Sequence, residues 1–233
     1  ERLNALSVEL WLKLAKAFED FRNDEDAWVL ILTGAGDRAF CTGFDLIDQA
    51  ERNAKGLGTP KLPLLHNLEI WKPMIAAING FAVAGGWMLA QNCDVRLAAE
   101  HAEMGIAEAR WNMTAPWVCD LTRQIGLGHA LEIVLWGDRR ITAQRGYEIG
   151  WLNRVVPQDK LMDEAREWAE RMLHLGPRAV RNFKETLYRG FYMTPEVGLA
   201  FGLAKGAILE HMEDTVEGPR AFAEKRKPIF KNR

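Results

Sequence analysis

The sequence predicts an α/β fold, with strands alternating with helices through the first two-thirds and a purely helical C-terminal part. Three observations carry this. Short apolar runs of strand length recur at Trp28–Gly34, Met74–Gly80 and Trp151–Pro157, too short and too evenly apolar for amphipathic helices. Helix signals fall between them. From Gln158 onward only helical patterns occur, separated by Gly176–Pro177, Thr194–Pro195 and Gly218–Pro219. The expected division is a strand–helix core over 1–157 and a helical subdomain over 158–233.

Taken in order, Ser7 precedes a helix with Leu10, Leu14, Phe18 and Phe21 on one face. A strand is expected upstream of Glu1. "WVLILTG" (Trp28–Gly34) reads as a fully buried strand, and "AFCTGFDL" (Ala39–Leu46) follows the turn after it. A polar helix then leads to "NAKGLGTPKLP" (Asn53–Pro63), which has Gly, Pro and Lys without periodicity and is expected to be a mobile loop. "MIAAING" (Met74–Gly80) is a second buried strand. After it, "GFAVAGGWMLAQNCD" (Gly80–Asp94) reads as a strand that breaks at a glycine pair and restarts as a helix. Asp94–Glu108 reads as two short strands around Glu100–His101, Thr142 caps a helix ending at Gly150, and "WLNRVVP" is a last strand.

Composition is that of an ordinary globular chain: 233 residues, 48% apolar and 27% charged. A net charge of −2 gives no electrostatic case for nucleic acid or an anionic membrane, and no apolar run reaches the roughly 18 residues of a membrane span. Cys41, Cys93 and Cys119 show no CxxC pair and no His at ligand spacing, so they read as reduced core or near-core thiols of a cytoplasmic protein, with no metal site. Nine tryptophans are enough to line a pocket or to fill a core or oligomer interface.

"LTGAGDRA" invites a dinucleotide-binding reading, but Ala39 stands at the third glycine position and no helix opens there. The five histidines are scattered; His66 is the one placed just before the strand that feeds the glycine turn. What remains is a pair of glycine turns, Cys41–Asp45 and Ala84–Gly86, each following a strand. If those strands lie side by side, backbone N–H groups from Phe44 and Gly85 converge on one oxygen. Two main-chain donors aimed at a developing oxyanion are each worth on the order of 10²–10³ in rate.

"RLNALS", "LTGAGDRAFCTGFDL", "KPMIAAINGFAVAGGWMLAQNCDVRLAAEHAEMGIAE", "GDRRITAQRGYEIGWLNRVVP" and "EDTVEGPRAFAEKRKPIF" together resemble the crotonase family, the enoyl-CoA hydratase/isomerases, over nearly the whole chain. The resemblance implies a spiral of ββα units with a helical C-terminal subdomain that mediates homotrimers, often paired into hexamers. It implies acyl-CoA thioester substrates and no cofactor beyond the coenzyme A of the substrate.

Carried onto this chain, the family's oxyanion hole falls on the N–H groups of Phe44 and Gly85. Ala39, Cys41, Gly43 and Gly86 surround them, and Asp45 and Leu46 start a helix whose N-terminus adds positive potential. The Phe44 ring is expected along the acyl or pantetheine channel. Hydratases of the family use two glutamates; Met88 stands at the first position and Glu108 at the second. One glutamate fits proton transfer between carbons of an enoyl-CoA, as in the family's isomerases. Hydration or dehydration of a bulky or aromatic acyl-CoA is the alternative, and a non-catalytic CoA-binding relative is a third reading. Trp111, Met113 and Trp117 are expected to surround Glu108 and raise its pKa. Together with Met88 and Trp87, the two outer tryptophans are expected to form bulky pocket walls. Asp120 is the nearest spare carboxylate and a candidate second acid, though it is expected to cap or face solvent. Resemblance places Arg2 and Leu3 near the adenine and pantetheine, with Phe222, Lys225 and Lys227 near a phosphate or the adenine edge.

Overall fold

A computed structural model describes residues 2–58, 60–66 and 68–233; Thr59, within the loop expected at Asn53–Pro63, lies outside the described residues. In chain order the elements are α1 (Val8–Asn23), β1 (Leu30–Thr33), β2 (Ala39–Cys41), α2 (Leu46–Ala54), β3 (Met74–Ile78), β4 (Phe81–Val83), α3 (Gly85–Gln91), β5 (Val95–Ala99) and β6 (Glu103–Gly105). Then come 3₁₀ turns at Glu108–Trp111 and Pro116–Arg123, α4 (Leu127–Leu135), β7 (Ile141–Thr142), α5 (Ala143–Glu148) and β8 (Arg154–Val156). Helices α6 (Leu161–Leu173), α7 (Pro177–Gly190), α8 (Pro195–Gly206) and α9 (Glu213–Ala223) complete the chain. It forms two compact units: one takes in the chain up to Phe21, Ile31–Leu68 and Met74–Ala165, the other Arg22–Leu30, Glu69–Pro73 and Arg166–Arg233.

The first unit repeats one step. A strand, a short turn, a second strand and a helix or 3₁₀ turn recur as β1–β2–α2, β3–β4–α3 and β5–β6–Glu108. The first strand of each step joins a sheet of order β1-β3-β5-β8, and the second joins a sheet of order β2-β4-β6-β7. Each step thus adds one strand to each sheet, which makes the chain a spiral of ββα units. All five residues of β3 are buried because it has a neighbour on either side. β1, expected to be fully buried, is half-buried to exposed, because it is the edge strand of its sheet. Of "WLNRVVP" only Arg154–Val156 is strand; Trp151 and Leu152 turn off α5, both N–H groups donating to the Gly146 carbonyl.

The turns are locked to one another. Buried Asn79 accepts from Gly34 N–H at 3.1 Å and donates to the carbonyls of Gly34 and Gly36 at 3.0 and 2.7 Å, so the β1–β2 and β3–β4 turns share one amide side chain. Gly86 is pressed against β2: a Cβ there would stand 2.0 Å from the Cys41 carbonyl oxygen. Beside it, Trp87 corrects the expected pocket wall. It is fully buried and stacks on Trp151 with ring centroids 3.8 Å apart and an interplanar angle of 25°. Its indole N–H donates to Gln91, so Trp87 belongs to the core. Cys41 and Cys93 are buried while Cys119 is exposed, and all three are free thiols. Among the described residues no helix is long and apolar enough to cross a membrane.

The second unit is held by charge as well as packing. Glu185 on α7 pairs with Arg189 at 2.9 Å and with Lys205 of α8 at 2.6 Å. Glu217 on α9 accepts from Arg226, Arg220 and the Ile229 N–H, which ties the C-terminal tail to the helix.

Two tests follow from these contacts. Gly86→Ala is expected to cost at least about 2 kcal/mol in urea unfolding, since the methyl must displace backbone; wild-type stability would contradict the close approach. The Arg226, Ile229 and Arg220 donors hold the Glu217 carboxyl well below the usual carboxylate range. A depressed pKa contributes stability that is full above the unfolded value of about 4.3 and lost as pH falls. Glu217→Gln should therefore lower the melting temperature at pH 7, and the deficit should shrink on acidification.

Candidate active site

β2, β4 and β6 are neighbours and run parallel, with Ala39 opposite Phe81, Cys41 opposite Ala82, Ala82 opposite Met104 and Val83 opposite Gly105. Their C-terminal ends lie on one edge of the sheet, the place where turns from different strands meet. Phe44, Gly85 and Glu108 each follow one of those ends by two or three residues, with Gly85 on the middle strand.

The first two turns touch. Gly43 has φ +89°, and a Cβ on it would stand 2.8 Å from the Ala84 Cβ and 3.1 Å from the Gly85 nitrogen. A Cβ on Gly85 would lie 3.7 Å from the Phe44 nitrogen and 3.0 Å from Leu6 Cδ1. Leu6 sets the direction of the Phe44 amide. Its N–H donates to Gly43 at 2.7 Å and its carbonyl accepts from Asp45 at 3.1 Å, so strand alternation turns the Phe44 N–H away from it. Ala84 sets the direction of the Gly85 amide. It is held at φ 54°, ψ −120°, a conformation L-residues resist. Its N–H donates to Gly105 at 2.8 Å and its carbonyl accepts from Met88 at 3.1 Å. Neither Phe44 N–H nor Gly85 N–H meets an acceptor among the described residues. Two neighbouring turns thus each carry a main-chain donor left open to an acceptor from outside the chain.

Glu108 opens the 3₁₀ turn after β6, and its Oε2 is buried with no hydrogen-bond partner among the described residues. Burial pushes its carboxyl above the usual range, partly offset by the N–H groups of Glu108 and Ala107. Such a carboxyl takes and returns protons at milder pH than a solvated one. Met88, one helical turn past Gly85, is buried and puts an apolar thioether where a carboxylate was conceivable.

The remaining expected residues are distributed as follows. Trp117 is buried, its carbonyl accepting from Gln91, whereas Trp111 and Met113 are 58% and 41% exposed. Asp120 is bound to Arg123 at 2.9 Å and is not a spare acid. Asp45 caps α2 with Oδ1, accepting from Ile47 and Asp48 N–H at 3.1 Å each, and its Oδ2 accepts from Arg2 at 2.8 Å. Burial pushes the Asp45 carboxyl up, but the Asp48 N–H, Arg2 and the Ile47 N–H outweigh it and hold it below its usual value. Two donors at the start of α2, the Ile47 and Asp48 N–H groups, are thus taken by Asp45. Arg2 keeps an exposed flank, and the Leu3 carbonyl accepts from Thr42. Ala39 and Cys41 are buried in β2, and burial pushes the Cys41 thiol up to about 11. Leu46 is exposed at the first turn of α2, and His66 is half-buried after Leu65. Phe222, Lys225 and Lys227 lie in the second unit, all exposed, Phe222 at 87%.

Sequence reasoning missed the parts played by Leu6 and Ala84. Leu6 lies inside the "RLNALS" stretch, and its position before a helix gives no sign of a bridge to Phe44. An alanine gives no warning of positive φ.

The whole chain, residues 1–233, matches the family model described as enoyl-CoA hydratase/isomerase, and the chain belongs to that family of acyl-CoA enzymes. It is 34% identical over 236 aligned positions to the (E)-benzylidenesuccinyl-CoA hydratase of Thauera aromatica, covering 99% of this chain and 92% of that one. It is 35% identical over 245 positions to a carnitinyl-CoA dehydratase of Salmonella paratyphi B, covering 100% and 92%. The crystal structure of enoyl-CoA hydratase from Bacillus anthracis superposes with a TM-score of 0.89 at 35% identity, covering 100% of this chain and 92% of that one. That from Mycobacterium tuberculosis H37Rv gives 0.90 at 29%, with the same coverage. The fold is the crotonase spiral.

The Glu108 environment makes a stability prediction. A carboxyl raised by burial contributes stability below its unfolded pKa of about 4.3 that is lost as pH rises through the folded value. Glu108→Gln should unfold at a higher temperature than the wild type at pH 7, and the gap should close below about pH 4. An equal gap at both pH values would contradict a carboxylate net-destabilised by burial.

Proposed function

We propose that the protein catalyses reversible addition of water to an enoyl-CoA thioester, with Glu108 as the single acid–base group. The observation that carries this is the buried, unpartnered Glu108 oxygen at the sheet edge that also presents the Phe44 and Gly85 amides. Glu108 takes a proton from water as the water oxygen bonds to C3. Negative charge moves onto the thioester oxygen, where the two N–H groups stabilise the enolate. Glu108 then delivers the same proton to C2, and the balance closes with one carboxyl. The names of the relatives, a hydratase and a dehydratase, support this order of preference over isomerisation. The benzylidenesuccinyl relative also makes an aromatic acyl group the first substrate to try.

Isomerisation of an enoyl-CoA is the second reading, favoured by the apolar Met88 at the place of the hydratases' first acid. There Glu108 takes a proton from C2 of a 3-enoyl thioester and returns it to C4 of the dienolate. Exposed Phe183, Leu187, Leu199 and Leu203 on α7 and α8 support assembly into a homotrimer or hexamer. Arg2 and Leu3, which the family resemblance places near the CoA, belong to this reading.

Incubation with crotonyl-CoA, cinnamoyl-CoA and a 3-enoyl-CoA in H₂¹⁸O, with product masses followed, separates the reactions. Label at C3 is expected from a 2-enoyl substrate. Shift of the double bond without label moves the assignment to isomerase. Glu108→Gln should reduce turnover by about 10²–10⁴, and retention of full activity overturns the role of Glu108.

A further inference from the structure

Phe44 contributes an amide to the candidate oxyanion pocket and also carries a large ring. The ring packs edge-on against Trp11 of α1, with centroids 6.2 Å apart and an interplanar angle of 81°. At its other end Trp11 donates its indole N–H to the Pro63 carbonyl at 2.6 Å. One side chain therefore touches both the residue that supplies a donor amide and the segment leading from α2 toward β3. Tryptophan suits this double contact, since it joins a broad apolar ring to a single N–H donor at the rim. The helix carrying it is anchored nearby. Ser7 Oγ accepts from the Leu10 N–H, and Asp48 of α2 accepts from the Val8 N–H, both at 3.2 Å.

The backbone on either side of Phe44 is bonded to Leu6, while the Phe44 N–H itself is held by no internal acceptor. Leu6 fixes the flanking Gly43–Asp45 backbone, and what restrains the Phe44 side chain then sets how firmly its amide holds that direction. Exposed Ile47, Leu57 and Leu64 stand on α2 and the segment after it. They are apolar surface on the same stretch of chain that Trp11 tethers.

We propose that Trp11 is a positioning residue with two separable actions. Its ring restrains Phe44 and so aims the Phe44 amide, and its N–H ties Pro63 and so orders the 60–66 segment, whose exposed Leu64 is apolar surface open to an acyl chain. This rests on the reading of Phe44 as an oxyanion donor, so the test includes a readout that needs no turnover.

Trp11→Phe keeps a ring beside Phe44 and removes the N–H. It is expected to raise KM about 3- to 10-fold with kcat within about twofold, since ground-state and transition-state binding weaken together. Tryptic cleavage after Lys61 should accelerate in the same variant. Trp11→Ala removes both contacts and should also lower kcat about 10-fold, short of the 10²–10³ for complete loss of a donor. Phe44→Ala keeps the amide but removes the ring, so combined with Trp11→Ala it should add little further loss of kcat. Should Trp11→Ala not fold, the kinetics of Trp11→Phe and Phe44→Ala with the cleavage assay decide alone. Wild-type KM and cleavage in Trp11→Phe overturn the tether, and wild-type kcat in Phe44→Ala overturns the aiming role. Absence of wild-type turnover on any acyl-CoA, or full activity in Glu108→Gln, fails the functional reading instead. The cleavage result then still stands for or against the tether.

Discussion

The close approach of the Gly43 turn to the Ala84–Gly85 turn is the contact on which the rest depends. A methyl group on Gly43 would fall 2.8 Å from the Ala84 Cβ, so the two turns can sit this near only without a side chain there. That nearness is possible because β2 and β4 are adjacent and parallel, which sends both chain reversals to one edge. It is maintained by contacts whose replacement is sterically or electrostatically costly: Gly86 against the Cys41 carbonyl, Asn79 holding two turns, and Leu6 bonding on both sides of Phe44. The fold thus places bare N–H groups of two distant segments together without using a functional side chain.

Around that pocket the chain carries local instability. Ala84 occupies a conformation suited to glycine, two amides lack internal acceptors, and Glu108 is held in a setting that disfavours its charge. Each costs folding free energy and each is useful only when a ligand oxygen or a transferable proton is present. The offset comes from elsewhere in the same unit. Trp87 stacked on Trp151 and the fully buried β3 supply apolar burial that is independent of ligand. Met88 and Trp87, adjacent in sequence, divide these tasks by helical direction: Trp87 enters the core, and Met88 lies one turn from Gly85.

Much of this arrangement is legible in the sequence, because glycines that must accept close backbone leave a chemical trace. "CTGFD" and "AGG" mark both turns, and the alternating apolar runs mark the strands between them. The parts that escape are those set by tertiary neighbours. β1 reads as buried, yet an edge strand keeps an open side that no local pattern reveals. Trp87 and Trp111 are the same residue type, but one stacks in the core and the other is exposed. The N-terminus of α2 looks available for a ligand until Asp45 is seen to fill it. The Phe44 ring likewise turns to Trp11, thirty-three positions earlier, a pairing with no periodic signature.

The central claim is that the Phe44 and Gly85 amides polarise a thioester carbonyl. Isotope-edited infrared spectroscopy of a 1-¹³C-labelled enoyl-CoA bound to the Glu108→Gln protein measures that polarisation directly, with turnover suppressed. The account predicts a labelled carbonyl band at clearly lower frequency than the same thioester in water, since two fixed donors replace mobile solvent. A bound carbonyl at or above the solution frequency would contradict it.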